Sequence, residues 1–174
     1  MWVFGYGSLL WNPGFDPAEA VVAHLQGYHR SFCMLSIHHR GTEEEPGLVL
    51  ALDAREGAGC TGIAFRVAGG AEAEVLDYLR ERELISSAYL EREVELALAD
   101  GRRVQALSYV VDPEHRQYCQ LDLETQAEMI ARARGGRGPN HAYLTNTARH
   151  LVEMGIDDAE LAWLVDRVAA LRSR

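Results

Sequence analysis

Glu83 is an acidic residue at a position where the surrounding pattern calls for an apolar one. The segment from Ala71 to about Leu84 places Val75, Leu76 and Leu79 at helical spacing. Stepping back from Glu83 by four, seven and eight residues reaches Leu79, Leu76 and Val75, so its carboxylate rides the core-facing stripe near the C-terminal end. Stepping back from Glu81 by four and seven reaches Asp77 and Glu74, a solvated face. A carboxylate at the Glu83 position either frays into water at the helix end or sits in a partly desolvated pocket. In the second case, burial and the nearby helix C-terminus both disfavour the charged form and raise the pKa. A carboxylate raised in that way is a useful base near neutral pH.

A second stretch with chemical potential opens the chain. Trp2-Val3-Phe4 is a short apolar strand that runs directly into Gly5-Tyr6-Gly7-Ser8. Two glycines flanking one tyrosine let the backbone turn sharply and approach a ligand closely. Successive N–H groups in such a turn can converge on an anion such as a carboxylate or phosphate. The same residues also suit a plain strand-ending turn. The stretch lacks the lysine of a phosphate-binding P-loop. No G-x-S-x-G elbow is present and Ser8 has no base visible in sequence, which disfavours a serine hydrolase. The seven histidines show no metal-ligand spacing, and His38 and His39, if extended, point to opposite sides. Gly135-Gly136-Arg137-Gly138-Pro139 fits an interhelix turn better than an anion loop.

Composition narrows the classes further. At 174 residues the chain is expected to form one domain (residues 1–174) with a substantial core of its own. Seventeen Lys+Arg against twenty-six Asp+Glu leave a net charge of −9 with no basic block, which argues against nucleic-acid and anionic-membrane partners. No apolar run approaches the roughly 18–20 residues of a membrane span. The first residues lack a charged n-region and a small-residue cleavage site, so no signal peptide is expected. Cys33, Cys60 and Cys119 are odd in number and widely spaced, and read as reduced thiols in a cytoplasmic protein.

The elements that must position these residues follow in chain order. Val21 to Leu25 and Tyr28 to Leu35 read as strands, followed by a long polar connection from His38 to Gly47. Leu48 to Leu52 is a strand, Arg55 to Gly59 a turn, and Cys60 to Val67 another strand. After the helix bearing Glu83, Tyr89 to Ala99 and Val104 to Val111 form a hairpin about Asp100-Gly101. The last third is helical: from Asp122 or a neighbour through Arg134, from Pro139 to before Gly155, and from a D-x-x-E box at Asp157 to about Arg172. Five to seven strands, mostly near neighbours, followed by helices indicate an α+β fold with a curved or barrel-like sheet.

Taken together, these residues resemble the ChaC family of glutathione-specific gamma-glutamylcyclotransferases. The likeness rests on Met1-Trp-Val-Phe-Gly-Tyr-Gly-Ser-Leu-Leu-Trp11, His39-Arg40-Gly41, Pro46-Gly47, Tyr78-Leu79, Arg82-Glu83, Asn140 and Tyr143-Leu144, in order over nearly the whole chain. The resemblance implies a mixed sheet curled into a small barrel with C-terminal helices. It implies cleavage of glutathione to 5-oxoproline and cysteinylglycine, with no metal and no cofactor. Glu83 would be the catalytic acid/base, and Val3, Phe4, Gly5, Tyr6, Gly7, Ser8 and Leu9 would hold the gamma-glutamyl group, with Tyr143 a further contact. The expected form is a monomer or weak homodimer. One departure stands out: the family usually has a glycine-containing turn after this glutamate, and here the run is Leu84-Ile85-Ser86-Ser87-Ala88-Tyr89. Other gamma-glutamyl substrates, a non-catalytic gamma-glutamyl-binding protein and a thiol-dependent hydrolase are the competing readings.

Overall fold

A run of apolar residues can be buried on both sides of a strand only if something covers each side. Strand β1 (Trp2–Gly5) meets that condition in the computed structural model, which describes residues 1–174. It pairs antiparallel with β3 (Gly47–Val67), Phe4 facing Ala64 in register, and parallel with β5 (Arg103–Val111), Trp2 facing Ala106. With β2 (Pro17–Ser36) and β4 (Tyr89–Leu98) the strands close a barrel in the order β1-β3-β2-β4-β5. Phe4 points into one apolar cluster with Tyr6, Leu52, Ala64, Leu96 and Val110. Val3 points to the opposite side, where Val75 and Leu79 of helix α2 (Glu72–Glu83) pack with Leu9 and Tyr109.

Contacts group the chain into two units, one of Met1–Ser31 and Leu52–His115, the other of Phe32–Ala51 and Arg116–Arg174. The first holds β1, the four-residue helix α1 (Ser8–Trp11), α2, the β4–β5 hairpin and the matching parts of β2 and β3. The second holds helices α3 (Leu123–Arg132), α4 (Asn140–Glu153) and α5 (Ala159–Arg172), together with the remaining parts of β2 and β3. Each of two helix starts is fixed by an aspartate that accepts a backbone hydrogen bond: Asp122 from Thr125 N at 2.8 Å and Asp158 from Leu161 N at 3.0 Å. A two-rung ladder, β6 (Arg134–Gly135) against β7 (Gly138–Pro139), turns the chain from α3 into α4. No helix is long and apolar enough to cross a membrane.

Several expectations from sequence need correction. The strands placed at Val21–Leu25 and Tyr28–Leu35 are one strand, β2, and Gly27 is accommodated within it at φ 85°. The turn placed at Arg55–Gly59 is likewise interior to β3, with Gly57 at φ 80°. Glycine tolerates that backbone geometry, so each strand carries an irregularity without ending. Residues 54–57 are exposed, so they lack the apolar alternation that reveals a strand in sequence. Helix α3 stops at Arg132 rather than Arg134, and the N-cap of α5 is Asp158, one residue beyond the start of the D-x-x-E box.

Candidate active site

The glycine stretch is the bridge from β1 into α1. Gly7 stands at the N-cap with φ −134° and ψ −124°, and its carbonyl accepts from Leu10 N at 2.8 Å. The turn leaves little room beneath it: a Cβ on Gly5 would lie 3.1 Å from Leu10 N. Side chains in the stretch divide sharply by exposure. Val3, Phe4, Tyr6 and Leu9 are buried in the packing, whereas Ser8 is exposed. The expected substrate contacts therefore fall into two kinds, with Ser8 offering a hydroxyl and the others offering backbone or shape.

Glu83 is the last residue of α2. Its side chain is 16 % exposed, Val75 and Leu79 of its helix are buried, and Glu74, Asp77 and Glu81 face solvent as the helical count predicts. The carboxylate accepts no hydrogen bond, and its ion-pair contact is Arg82 Nε at 3.4 Å. Burial pushes the Glu83 carboxyl above its ordinary value, and the Arg82 charge offsets this only in part. An acidic side chain at a helix C-terminus also faces the negative end of the macrodipole. The frayed-end alternative is thus not what the fold presents; the carboxylate is partly desolvated.

Two arginines brace the glycine stretch, and neither was expected from sequence to have a role there. Arg30 of β2 is 4 % exposed, and its guanidinium donates to Tyr6 O at 2.9 Å and to Thr61 O at 3.0 Å. Arg82 donates from Nη2 to Ser8 Oγ at 3.0 Å and from Nη1 to Asn12 O at 2.7 Å and Tyr78 Oη at 3.2 Å. The i, i+4 spacing of Tyr78 and Arg82 was the signal available for the second of these. Arg30 had no such cue, because nothing local marks which carbonyl a barrel arginine will reach.

Tyr109 of β5 is buried against Val75 and Leu79 of α2. Its hydroxyl donates to Glu91 Oε2 at 3.1 Å, and Arg80 grips Glu91 with two hydrogen bonds of 3.0 and 2.9 Å. Burial, with the negative charges of Glu91 and Glu83, holds the Tyr109 phenol above the usual range, so it stays protonated. The loop after Glu83 places Ser87 at φ 60°, a left-handed conformation that non-glycine residues seldom adopt.

Tyr143 lies in the second unit. Its hydroxyl accepts from Leu50 N at 3.1 Å, its ring meets Phe32 edge-on, and Arg40 stacks 5.6 Å from the ring centre. None of the three cysteines is in a disulfide; Cys33 and Cys60 are buried, and burial raises the Cys119 thiol. A raised thiol is a poor nucleophile, which weighs against thiol-dependent hydrolysis.

Known proteins similar to this chain are found by sequence and by fold. The chain is 39% identical over 173 residues to the glutathione-specific gamma-glutamylcyclotransferase of Escherichia coli (strain K12), covering 98% of this chain and 74% of that protein. It is 34% identical over 177 residues to the human glutathione-specific gamma-glutamylcyclotransferase 1, covering 98% of this chain and 79% of the relative. The fold matches a crystal structure of a yeast gamma-glutamyl cyclotransferase specific to glutathione at a TM-score of 0.84, with 24% identity over 99% of this chain and 96% of the yeast one. The ChaC-like protein family description matches residues 1–171. Continuous similarity along the sequence and a family match over residues 1–171 lead to one conclusion: the chain belongs to the ChaC family.

Proposed function

We propose that this chain is a glutathione-specific gamma-glutamylcyclotransferase with Glu83 as its general base and acid. The observation that carries the reading is the Glu83 carboxylate: partly buried, raised in pKa, accepting no hydrogen bond, and next to the arginine that holds Ser8. Relatives that share the family carry that activity in their names, which supports the choice of reaction and substrate.

The reaction needs neither water nor an enzyme nucleophile. The alpha-amine of the gamma-glutamyl group attacks its own gamma-carbonyl and closes a five-membered ring, forming one C–N bond as the amide C–N bond to cysteine breaks. An alpha-amine with a reference pKa of roughly 8 is mostly protonated at neutral pH and cannot attack until it loses that proton. The ammonium proton passes to solvent through Glu83. Once the amine has attacked, Glu83 takes one of the two hydrogens left on the ring nitrogen and delivers it to the departing cysteinyl nitrogen, which is too basic to leave as an anion. One carboxyl serves both steps because both nitrogens border the same tetrahedral carbon. The proton balance closes without any metal or organic cofactor.

The glycine stretch holds the substrate in the bent shape that ring closure requires. In this reading the backbone of Val3 to Leu9 and the Ser8 hydroxyl engage the gamma-glutamyl group, and pre-orientation lowers the barrier by several kcal/mol. A donor from the same stretch stabilises the oxyanion. Tyr143 is assigned the role of holding Leu50 in the second unit. The partner is a small molecule rather than nucleic acid or membrane, in keeping with a net charge of −9. The compartment is the cytoplasm and the form a monomer or weak homodimer.

Incubation of the purified protein with glutathione, followed by mass spectrometry, tests the reading. Equal amounts of 5-oxoproline and cysteinylglycine, absent with Glu83→Gln, are the expected result. Glutathione left intact by the wild-type protein overturns it. Because Ser87 departs from the family's glycine-containing turn beside the catalytic position, gamma-glutamyl amino acids and amines belong in the same panel.

A further inference from the structure

The Arg82 guanidinium lies at a junction of three elements. Its Nη1 is tied to Asn12 O at 2.7 Å, just beyond α1, and to Tyr78 Oη at 3.2 Å, one turn back in α2. Its Nη2 is tied to Ser8 Oγ at 3.0 Å, and its Nε faces Glu83 Oε1 at 3.4 Å. The side chain is 20 % exposed, so these contacts are only partly open to solvent competition. A planar fork can reach several acceptors in fixed directions at once, whereas an ammonium acts as a single point.

The direction of the Ser8 hydrogen bond has a chemical consequence. A guanidinium carries donors and no acceptor, so Ser8 Oγ must accept from it. The Ser8 hydrogen is then left pointing away from Arg82, and the exposed hydroxyl becomes a donor toward whatever binds over the glycine stretch. Without the guanidinium the hydroxyl rotates freely and presents either a hydrogen or a lone pair.

We propose that Arg82 is a positioning residue: it fixes Ser8 as a hydrogen-bond donor to the carboxylate end of a gamma-glutamyl substrate, and it locks the glycine stretch to the end of the helix that carries Glu83. The inference rests on the functional reading above, and adds to it a residue that acts through Ser8 and Glu83 without touching the reacting atoms. Arg82 also contributes a positive charge beside Glu83 that opposes the effect of burial. Across from Glu83 on β5 the titratable neighbour is Tyr109, whose phenol remains neutral, and its partner Glu91 is bound to Arg80. Arg82 is therefore the cation that tunes this carboxyl.

Two substitutions separate the fork from the charge. Arg82→Lys keeps the charge and loses the fork. It should raise KM for glutathione about tenfold, the scale of one charge-assisted hydrogen bond, and leave the acid limb of the kcat/KM profile in place. Arg82→Gln loses both. It should raise KM similarly and move the acid limb to higher pH, because removing a nearby cation makes Glu83 harder to ionise. Ser8→Ala should raise KM, and adding Arg82→Lys to it should cost far less than the product of the two separate effects. A wild-type KM in Arg82→Lys, additive effects in the double variant, or an unmoved acid limb in Arg82→Gln overturns the inference. If Arg82→Gln does not fold by its thermal melt, the Lys and Ala variants and their combination still decide it. Retained turnover in Glu83→Gln would instead sink the catalytic reading itself, so the two failures are distinct.

Discussion

Asn140 satisfies both backbone groups of Leu48: its Oδ1 accepts from Leu48 N at 2.8 Å, and its Nδ2 donates to Leu48 O at 2.8 Å. Both residues are wholly buried, so the side-chain amide stands in for a neighbouring strand at a place where water cannot. Asn140→Ala leaves a buried donor and a buried acceptor unpaired, which costs about 3 kcal/mol. A lowered midpoint in urea denaturation checks this. Asn140→Asp, whose ionised carboxylate has no donor for Leu48 O, is expected to rescue little.

The raised Glu83 carboxyl has consequences for rate and for stability. As a base it must be ionised, so kcat/KM should rise with pH through a limb lying above the ordinary carboxylate value of 4.5. For stability the sign is the reverse. The folded state holds the Glu83 proton more tightly than the unfolded chain, so stability falls as pH rises past 4.5 toward the folded pKa. Glu83→Gln removes that penalty. It should melt above wild type at pH 7 and lose the advantage below the unfolded pKa, while turnover is lost throughout.

Gly62 of β3 sits under the start of the glycine stretch. A Cβ there would lie 2.2 Å from Gly5 O and 2.7 Å from the Phe4 ring. Neither neighbour can yield, one being backbone in the β1–β3 ladder and the other a core ring. Gly62→Ala should therefore destabilise by about 2–3 kcal/mol and raise KM together with the loss of Tm. A variant with unchanged Tm and KM would show that β1 shifts without consequence.

Ser87 bears a left-handed backbone at φ 60°. That conformation costs a side-chain-bearing residue about 1–2 kcal/mol, whereas glycine loses about 0.5–1 kcal/mol more conformational entropy on ordering. The strain outweighs the entropy, so Ser87→Gly should stabilise by up to about 1 kcal/mol. Thermal melts of the two proteins measure the difference, and a substrate panel run alongside reads whether the turn also sets specificity.

Glu83 and the glycine stretch were visible in the linear sequence because both break a local rule: one acid on an apolar stripe, and two glycines where a strand should continue. Period and composition likewise revealed α2, the β4–β5 hairpin and the Asp122 cap of α3, since local spacing governs those features, while the cap of α5 fell one residue beyond the box that marked it. Only the tertiary structure decided that β2 and β3 run unbroken through Gly27 and Gly57, because a glycine at positive φ can bend a strand without ending it and reads in sequence equally as a turn. It alone decided the roles of Arg30, Arg82 and Asn140 as well. Each reaches a backbone or hydroxyl group between 24 and 92 positions away in the chain. A long polar side chain carries no local mark of which distant acceptor it will meet. Burial of Glu83 is a property of the same kind: its type and spacing can be read in the sequence, but its desolvation exists only in the folded chain.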